Sequence, residues 1–336
     1  MGKKLLVLSQ IGSPAEPTPK AVGQYLSRFL MDQRILDMPW FFRSILVHIG
    51  IVPRRKKPSA KKYQKIWTPD GSPLVVETTN FANILAEKLS DTDIVIHWRY
   101  GEKSAVATLD SYKNKDYDEI LIAPLYPQFA MATTGSAFDV LLPAVNQHWP
   151  NHKNVKTLKP FYEHPNFITS WAEQIKPYIQ FNDHLLLSFH GLPVSQIQKN
   201  PGCELNQKCC ERPDISRCYY AQCQQTVKLL TAKLGLPAER YTLCFQSRVG
   251  YKKWLEPATE KSTEGLVKDR NVKSLVVACP AFVTDGLETL EEINIELQHH
   301  FKSWGGQQFK MVPSLNDNLH WIDSFVQILA DSKSWS

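Results

Sequence analysis

The sequence of 336 residues lacks an apolar run long enough to cross a membrane. Its longest apolar stretch, from Met38 to Val52, is interrupted by Arg43 and His48. A membrane-spanning helix needs about 20 consecutive apolar residues, and this stretch is shorter and more polar. We therefore expect a protein that does not span a bilayer.

The chain also lacks a large excess of charge of one sign, an export signal and an even number of cysteines. Its 39 basic and 33 acidic residues give a formal net charge of +6, far from the concentrated basic surface of a nucleic-acid-binding protein. The start, Met1-Gly2-Lys3-Lys4, leads directly into a short apolar run that is typical of a strand rather than a signal peptide. Seven cysteines without an export signal argue against a disulfide framework. We expect a cytoplasmic protein with no nucleic-acid partner.

Short runs rich in Val, Ile and Leu recur along the chain and end in Gly, Pro or polar turns, as buried parallel strands do. Helix-period stretches such as Pro19–Asp32, Thr79–Leu89 and Ala221–Leu234 lie between them. This alternation predicts an α/β fold with parallel sheets. The eight predicted strands are Leu5–Ser9, Asp93–His97, Glu119–Leu125, Val155–Phe161, His184–Phe189, Tyr241–Gln246, Ser274–Cys279 and Phe309–Ser314.

The similar rhythm of the two halves predicts two doubly wound, Rossmann-like domains with parallel four-stranded sheets and a cleft between them. The first covers residues 1–165 with an apolar segment at about 38–58, and the second covers residues 166–336 with a cysteine-rich insert at about 200–223. Open parallel sheets bind ligands beyond the carboxyl ends of their strands. The polar residues that follow predicted strands are Arg99, Tyr100, Tyr126, Ser188, His190, Gln246–Arg248 and Asp285–Glu288.

His190 follows the predicted strand His184–Phe189 and precedes the turn Gly191-Leu192-Pro193. A single histidine beside a core strand is more often structural, but a place at a strand end favours the mouth of the cleft. A neutral imidazole can both bind a divalent metal and accept a proton. His190 is therefore a candidate catalytic residue.

A predicted helix over residues 285–296 carries Glu288, Glu292 and Glu296 at intervals of one helical turn. Like charges at this spacing repel one another weakly, so the row needs an explanation. One interpretation is a solvated acidic face. The other is a ladder of carboxylates that passes a cation inward or protons outward, since carboxylates and an imidazole suit Fe(II), Zn(II) or Mg(II) held loosely.

Three segments resemble signatures of the ferrochelatase family and occur in the family's order. They are LSFHGLP at Leu187–Pro193, FQSRVG at Phe245–Gly250 with WLEP at Trp254–Pro257, and PAFVTDGLETLEEI at Pro280–Ile293. Shorter matches extend the resemblance over nearly the whole chain. They are GSP at Gly12–Pro14, RYG at Arg99–Gly101, PLYPQ at Pro124–Gln128, TTGS at Thr133–Ser136 and PSLND at Pro313–Asp317.

The resemblance implies an enzyme that clamps protoporphyrin IX in the cleft and inserts Fe(II), releasing two protons, in the last step of haem biosynthesis. By similarity, His190 is the proton acceptor or metal ligand opposite Glu288, and Glu292 and Glu296 continue the path of the iron. Gly286 departs from the pattern, since some members carry histidine there. The residues expected at the porphyrin are Arg99, Tyr100, Tyr126, Ser188 and Trp254.

Two other functions remain open on the sequence. A related chelatase acts on another tetrapyrrole or metal, such as coproporphyrin, or cobalt with a corrin precursor. A protein of a different class carries an iron–sulfur cluster as a sensor and turns nothing over. The candidate residues bind several divalent ions, so they do not select the metal.

Five cysteines lie between Cys203 and Cys223, a density that argues for a bound metal in a reducing compartment. Their spacing lacks the paired C-x₂-C of structural zinc. Some ferrochelatases carry a [2Fe–2S] cluster, so the resemblance favours a cluster over a Cys₄ zinc site, and free thiols are the third interpretation. The favoured ligands are Cys203, Cys209, Cys210 and Cys218, with Cys223 as an alternative, while Cys244 and Cys279 are expected in the core.

The apolar segment that begins at Trp40-Phe41-Phe42 is followed by the basic run Arg54–Lys57 and by Lys61 and Lys62. It is either a buried helix followed by a solvated basic loop, or an interfacial element that enters the headgroups of an anionic bilayer. In ferrochelatases the corresponding region resembles a hydrophobic lip over the porphyrin site. The expected partners are then protoporphyrin IX, ferrous iron, the inner face of the membrane and the preceding oxidase of the porphyrin pathway.

Overall fold

The computed structural model describes residues 3–200, 202–205, 207–248 and 252–336, and the chain divides into two compact units. Val249 and Gly250, part of the second family signature, lie outside the described residues. The first unit comprises Met1–Tyr126, Ala130–Lys159 and Leu329–Ser336. The second comprises Pro127–Phe129 and Pro160–Ile328.

The first unit is built on a parallel sheet with the strand order β2-β1-β3-β4. Val7 in the central strand pairs with Val95 on one side and Ile122 on the other. Leu5, Leu6, Val7 and Leu8 are all fully buried, because helices cover both faces of such a sheet. The strands are β1 (Lys4–Gln10), β2 (Thr92–Trp98), β3 (Glu119–Pro124) and β4 (Val155–Thr157).

The helices of this unit begin at signals that the sequence displays. Thr18 accepts a hydrogen bond from the Ala21 amide, and Pro19 occupies the first position of α1, where its missing N–H costs nothing. The helices are α1 (Pro19–Leu30), α2 (Trp40–Ile45), α3 (Val52–Ile66), α4 (Pro73–Lys88), α5 (Ala105–Leu109) and α6 (Ser136–His148), with π-helical turns at Leu46–Ile51 and Met131–Gly135.

The second unit repeats the plan with the strand order β6-β5-β7-β8, again parallel. His190 and Gln246, the last residues of β5 and β6, are paired in register. The strands are β5 (His184–His190), β6 (Tyr241–Gln246), β7 (Ser274–Ala278) and β8 (Gln308–Met311). The helices are α7 (Pro165–Ile175), α8 (Val194–Ile197), α9 (Gln207–Cys210), α10 (Tyr219–Leu234), α11 (Thr259–Lys268), α12 (Gln298–Ser303) and α13 (Leu319–Ala330), with a π-helix at Leu287–Leu297 and a 3₁₀ turn at Ala238–Arg240. A second 3₁₀ turn, Ser332–Ser334, belongs to the first unit.

The predicted α/β fold with two parallel four-stranded sheets is confirmed, and all eight predicted strands are present. The prediction for β4 was too long, since this strand ends at Thr157 rather than Phe161. Leu158 forms an isolated bridge with Trp335 instead, and Pro160 has no N–H with which to continue a ladder. No helix within the described residues combines the length and apolar character needed to cross a bilayer.

Candidate active site

His190 ends β5, and its side chain is partly buried. Its Nδ1 lies 2.6 Å from the carbonyl oxygen of Gly191. A carbonyl oxygen accepts but cannot donate a hydrogen bond, so Nδ1 carries the proton of the neutral ring and Nε2 keeps the lone pair. The local backbone thereby selects the tautomer whose Nε2 can accept a proton or bind a metal ion.

The turn after His190 requires glycine. The Gly191 amide donates to the Gln246 carbonyl at 2.8 Å, and a Cβ at Gly191 would lie only 2.6 Å from that same oxygen. The Cβ would also approach Cε3 of Trp254 to 3.3 Å. Glycine therefore lets β5 and β6 stay close at their carboxyl ends, and it brings the Trp254 ring beside the residue that follows His190.

Glu292 faces the same end of the sheet, where Ser247 binds its carboxylate. Ser247 has a φ of +64°, a left-handed backbone that is uncommon outside glycine and that often occurs at functional sites. This conformation directs both the amide and the hydroxyl of Ser247 to the carboxylate oxygens of Glu292, each at 2.6 Å.

Burial raises the pKa of Glu292 above its usual range. The hydrogen bonds from Ser247 and the charge of His190 oppose this rise, and the charge of Glu288 adds to it. His190 and Glu288 are thus each close enough to Glu292 to influence it. Glu292 is suited to hold a proton at a higher pH than an exposed glutamate does.

The helix that carries these glutamates is a π-helix over Leu287–Leu297, whereas the sequence pattern predicted an ordinary helix. Its hydrogen bonds run from i to i+5, a rare arrangement that concentrates at functional sites. Glu288 and Glu292 are partly buried and Glu296 is exposed, so the three carboxylates lead from the interior to the surface. This gradient favours the carboxylate ladder over a uniformly solvated acidic face.

Gln246 joins the end of β6 to the start of the π-helix. Its Nε2 donates to the carbonyl oxygen of Glu288 at 2.8 Å, and its Oε1 accepts a hydrogen bond from the Ser188 hydroxyl at 2.7 Å. Ser188 is fully buried and also lies 2.8 Å from the Thr259 hydroxyl. Ser188, predicted at the porphyrin, therefore occupies the core of the second unit, where it supports Gln246.

Arg99 and Tyr100 follow β2 in the first unit and converge on Asp32. Arg99 Nη2 and the Tyr100 hydroxyl each donate to Asp32 Oδ2 at 2.8 Å. Ser136 donates to the same carboxylate and accepts from Arg99 Nε at 2.7 Å. The Tyr100 ring is buried, whereas Arg99 and Tyr126, which follows β3, are partly exposed.

Asp32 and Tyr219 are functional candidates that sequence reasoning missed. Asp32 lies far along the chain from Arg99, and Tyr219 donates to the backbone of His190 across a long loop. A carboxylate near the end of a helix and a tyrosine beside a cysteine carry no local signal of such contacts. Only the proximity of Tyr219 to the cysteine-rich insert could have drawn attention to it.

The cysteine-rich insert brings four thiols into one neighbourhood. The Sγ atoms of Cys209 and Cys210 are 4.0 Å apart, and Cys209 also forms a hydrogen bond with Cys203. Burial raises the pKa of Cys210 to about 12, and the neighbouring Cys209, Cys218 and Cys203 contribute in the same direction. The predicted core cysteines, Cys244 and Cys279, are buried at the sheet.

The thiols of the insert are near one another but do not form a finished metal site. In residues 3–200, 202–205, 207–248 and 252–336, no group of three or more His, Cys, Asp or Glu side chains is arranged to hold a metal ion. The insert therefore offers thiols that face one another without converging on one point. Their donor chemistry fits both a [2Fe–2S] cluster and a Cys₄ zinc site.

The predicted lip forms α2, the π-helical turn Leu46–Ile51 and α3 of the first unit. Trp40, Phe41 and Phe42 are 66%, 62% and 62% exposed, so the interpretation as a buried helix is wrong. The basic run Arg54–Lys57 lies on α3 rather than on a loop. The exposed side chains that we call the apolar lip are Trp40, Phe41, Phe42, Ile45, Leu46 and Ile49.

Comparison with solved structures supports the fold. SirB from Bacillus subtilis with Fe³⁺ superposes with a TM-score of 0.56 at 10% identity, covering 98% of this chain and 94% of that one. The sirohydrochlorin chelatase SirB from B. subtilis subspecies spizizenii with cobalt gives a TM-score of 0.54 at 10% identity, covering 97% and 93%. At this identity the likeness concerns the fold alone.

Sequence comparison goes further. The family model described as Ferrochelatase matches residues 3–333. Ferrochelatase of Bdellovibrio bacteriovorus is 39% identical over 334 residues, which cover 98% of this chain and 99% of the relative. Ferrochelatase of Legionella pneumophila strain Philadelphia 1 is 39% identical, covering 96% and 98%, and that of Pseudomonas putida is 38% identical, covering 97% of each. Because the match extends over nearly the whole length, the chain belongs to the ferrochelatase family.

Proposed function

We propose that the protein inserts Fe(II) into protoporphyrin IX, forming protohaem and releasing two protons, as the last step of haem biosynthesis. Membership of the ferrochelatase family supports this reaction class. The single observation that carries it for this chain is the group His190, Glu288 and Glu292. There, a histidine fixed in its Nδ1–H tautomer faces carboxylates on a π-helix.

Metal delivery is the first part of the physical problem, because aquated Fe(II) must exchange its waters before a porphyrin can bind it. Carboxylate oxygens and an imidazole nitrogen replace water without holding Fe(II) in a closed cage. Glu296 is exposed, and Glu292 and Glu288 lie progressively nearer the end of β6. We assign this row as the route by which the iron substrate reaches the porphyrin.

Proton removal is the second part, because the porphyrin carries two pyrrole N–H groups that the metal replaces. Nε2 of His190 accepts a proton, and the adjacent carboxylates stabilise the imidazolium that forms. The raised pKa of Glu292 suits it to take the proton onward. One Fe²⁺ ion enters and two protons leave, so the charge is balanced.

Porphyrin binding is assigned to Trp254, Tyr126, Arg99 and Tyr100. Trp254 offers an aromatic face beside Gly191, next to the proposed base. Burial raises the pKa of Tyr126, which keeps its hydroxyl protonated. Asp32 and Ser136 hold Arg99 and Tyr100 in place.

Anaerobic mixing of the purified protein with ferrous iron and protoporphyrin IX tests the proposed reaction. We expect growth of haem absorbance that depends on enzyme concentration and saturates with both substrates. Parallel assays with coproporphyrin, and with cobalt and a corrin precursor, measure the competing chelatase activities. A protein that turns over none of these substrates while retaining a chromophore would support the sensor function and overturn ours.

We further propose that the insert holds a [2Fe–2S] cluster through Cys203, Cys209, Cys210 and Cys218. The mutual proximity of these four thiols supports this ligand set, and a Cys₄ zinc site is the alternative. When bound, such a group supplies cross-links between distant parts of the insert. The insertion steps above are assigned to His190 and the glutamates.

The apolar lip supports a third proposal, attachment to the inner face of the membrane, where a preceding pathway oxidase releases the apolar porphyrin. Exposed aromatic side chains favour the headgroup region, and each basic residue near an anionic surface adds about 1 kcal/mol. The basic run Arg54–Lys57 on α3 follows the lip directly. The succession of an exposed apolar segment and a basic helix supports the proposal of an interfacial element.

We expect the protein to sediment with vesicles that contain anionic lipid at low salt, and to bind at least tenfold more weakly when Trp40, Phe41 and Phe42 are all replaced by serine. Phe181 is 86% exposed in the second unit, outside the lip, so Phe181→Ser is the matched control. Co-sedimentation over a range of vesicle concentrations gives the affinities. Equal binding by the triple variant and the control would rule out the lip as the membrane anchor.

A further inference from the structure

Tyr219 makes a contact with the catalytic strand that the proposed mechanism does not use. Its hydroxyl donates to the carbonyl oxygen of His190 at 2.8 Å, and the side chain is buried. Tyr219 is the first residue of α10 and follows Cys218, the N-cap of that helix. A buried hydrogen bond therefore joins the end of the cysteine-rich insert to the backbone of the proposed base.

The peptide unit between His190 and Gly191 is held at both of its polar ends. Tyr219 binds its carbonyl oxygen, and the Gln246 carbonyl accepts its N–H at 2.8 Å. A planar peptide fixed at both ends cannot rotate without breaking one of these bonds. The next carbonyl, that of Gly191, is the acceptor for His190 Nδ1–H, so the orientation of the imidazole depends on this fixed peptide.

Cys223 lies one turn further along α10 and is close enough to the Tyr219 hydroxyl to influence it. The phenol has one proton, and the His190 carbonyl oxygen can only accept a hydrogen bond, so that proton points to His190.

We propose that Tyr219 is a positioning residue for His190, acting through the hydrogen bond to the His190 carbonyl oxygen. The proposal rests on the role of His190 in the proposed function. It also gives the insert a direct structural link to the active site, because Cys218 and Tyr219 are adjacent in the chain. A change in the conformation of the insert would then alter the position of His190, because a peptide bond joins Cys218 to Tyr219 and a hydrogen bond joins Tyr219 to His190.

The test compares Tyr219→Phe with Tyr220→Phe in the full chain. Tyr220 is the next residue, and its ring packs against Phe245 at a centroid distance of 5.6 Å, so its variant controls for loss of a hydroxyl on the same turn. We expect Tyr219→Phe to lower kcat for haem formation about tenfold, since small misplacements of a catalytic group are costly. We expect KM for the porphyrin and the Tm to change little, and Tyr220→Phe to retain wild-type kcat.

A spectroscopic measurement detects the positioning effect without turnover. In protein labelled with ¹⁵N-histidine, the His190 resonances are identified by their loss in His190→Ala. We expect them to report a single Nδ1–H tautomer in the wild type and in Tyr220→Phe, and a shifted or broadened signal in Tyr219→Phe.

Unchanged kcat and unchanged His190 resonances in Tyr219→Phe would overturn the positioning role. An equal loss of kcat and Tm in both tyrosine variants would overturn the positioning role as well, because the Tyr219 contact would then contribute only to general packing. Failure of the proposed function would give a different result from failure of the positioning role. A fully active His190→Ala variant would disprove the catalytic role of His190, whereas the effect of Tyr219→Phe on the His190 resonances would remain.

Discussion

Replacing His190 by alanine is expected to lower kcat for haem formation by about 10²- to 10⁴-fold, the range that loss of a general base produces. Alanine removes Nε2, the atom that the Gly191 carbonyl leaves available for proton transfer. The backbone bonds at this residue, from Tyr219 and to Gln246, do not involve the side chain, so we expect the variant to fold. Steady-state haem formation with ferrous iron measures the effect.

His184 provides the matched control, because it lies at the opposite end of the same strand. It is buried beside the Thr242 hydroxyl at 2.9 Å, and burial lowers its pKa to about 4. We expect His184→Gln to reduce stability while leaving kcat within about twofold of wild type, since the residue is remote from the site in the strand register. A folded His190→Ala variant with near wild-type kcat would refute the assignment of the base.

Replacing Cys209 by serine is expected to abolish the visible absorption of the anaerobically purified protein and to lower its iron and sulfide content to background. Cys209 contacts both Cys203 and Cys210, so its loss affects three of the four proposed ligands. Serine is a poor ligand for iron–sulfur clusters, which are held by cysteine thiolates. Absorption before and after dithionite, together with metal analysis, gives the result.

Variants of two further cysteines serve as controls for this experiment. Cys223→Ala should retain the visible bands, because Cys223 is fully buried on α10 and is not one of the four proposed ligands, and Cys279→Ala should retain them because Cys279 is buried at the sheet. Loss of the bands in Cys223→Ala would place Cys223 among the ligands and contradict the proposed ligand set. A colourless wild-type protein with one zinc ion per chain would replace the cluster with a zinc site.

The strands and the polar residues that follow them could be predicted because a buried parallel strand has a recognisable sequence pattern, a nearly continuous apolar run that ends at a turn. Central strands such as β1 and β5 are covered on both faces and so are almost continuously apolar. Side chains that follow parallel strands lie at the carboxyl end of their own sheet, so the strand pattern alone predicts Arg99 at that end of the first sheet and His190 at that end of the second. The end of β4 was mispredicted because apolar residues continue beyond the point where pairing stops.

The π-helical hydrogen bonding of Leu287–Leu297 could not be predicted, because its apolar and acidic spacing also fits an ordinary helix. The sequence also did not determine whether the apolar lip is exposed. The same apolar run is compatible with burial or exposure, and only the packing of the first unit leaves Trp40, Phe41 and Phe42 uncovered.

The sequence by itself determined the family, the eight strands and the identity of the chemical groups, because these depend on residue types and on spacing along the chain. Only the tertiary structure decided which groups meet. The bonds of Ser247 to Glu292, Tyr219 to His190 and Asp32 to Arg99 each join residues that are distant in sequence. Such pairs are created by the packing of strands and helices, so the proton affinity of Glu292 is a property of the fold, whereas the tautomer of His190 is selected locally by the Gly191 carbonyl.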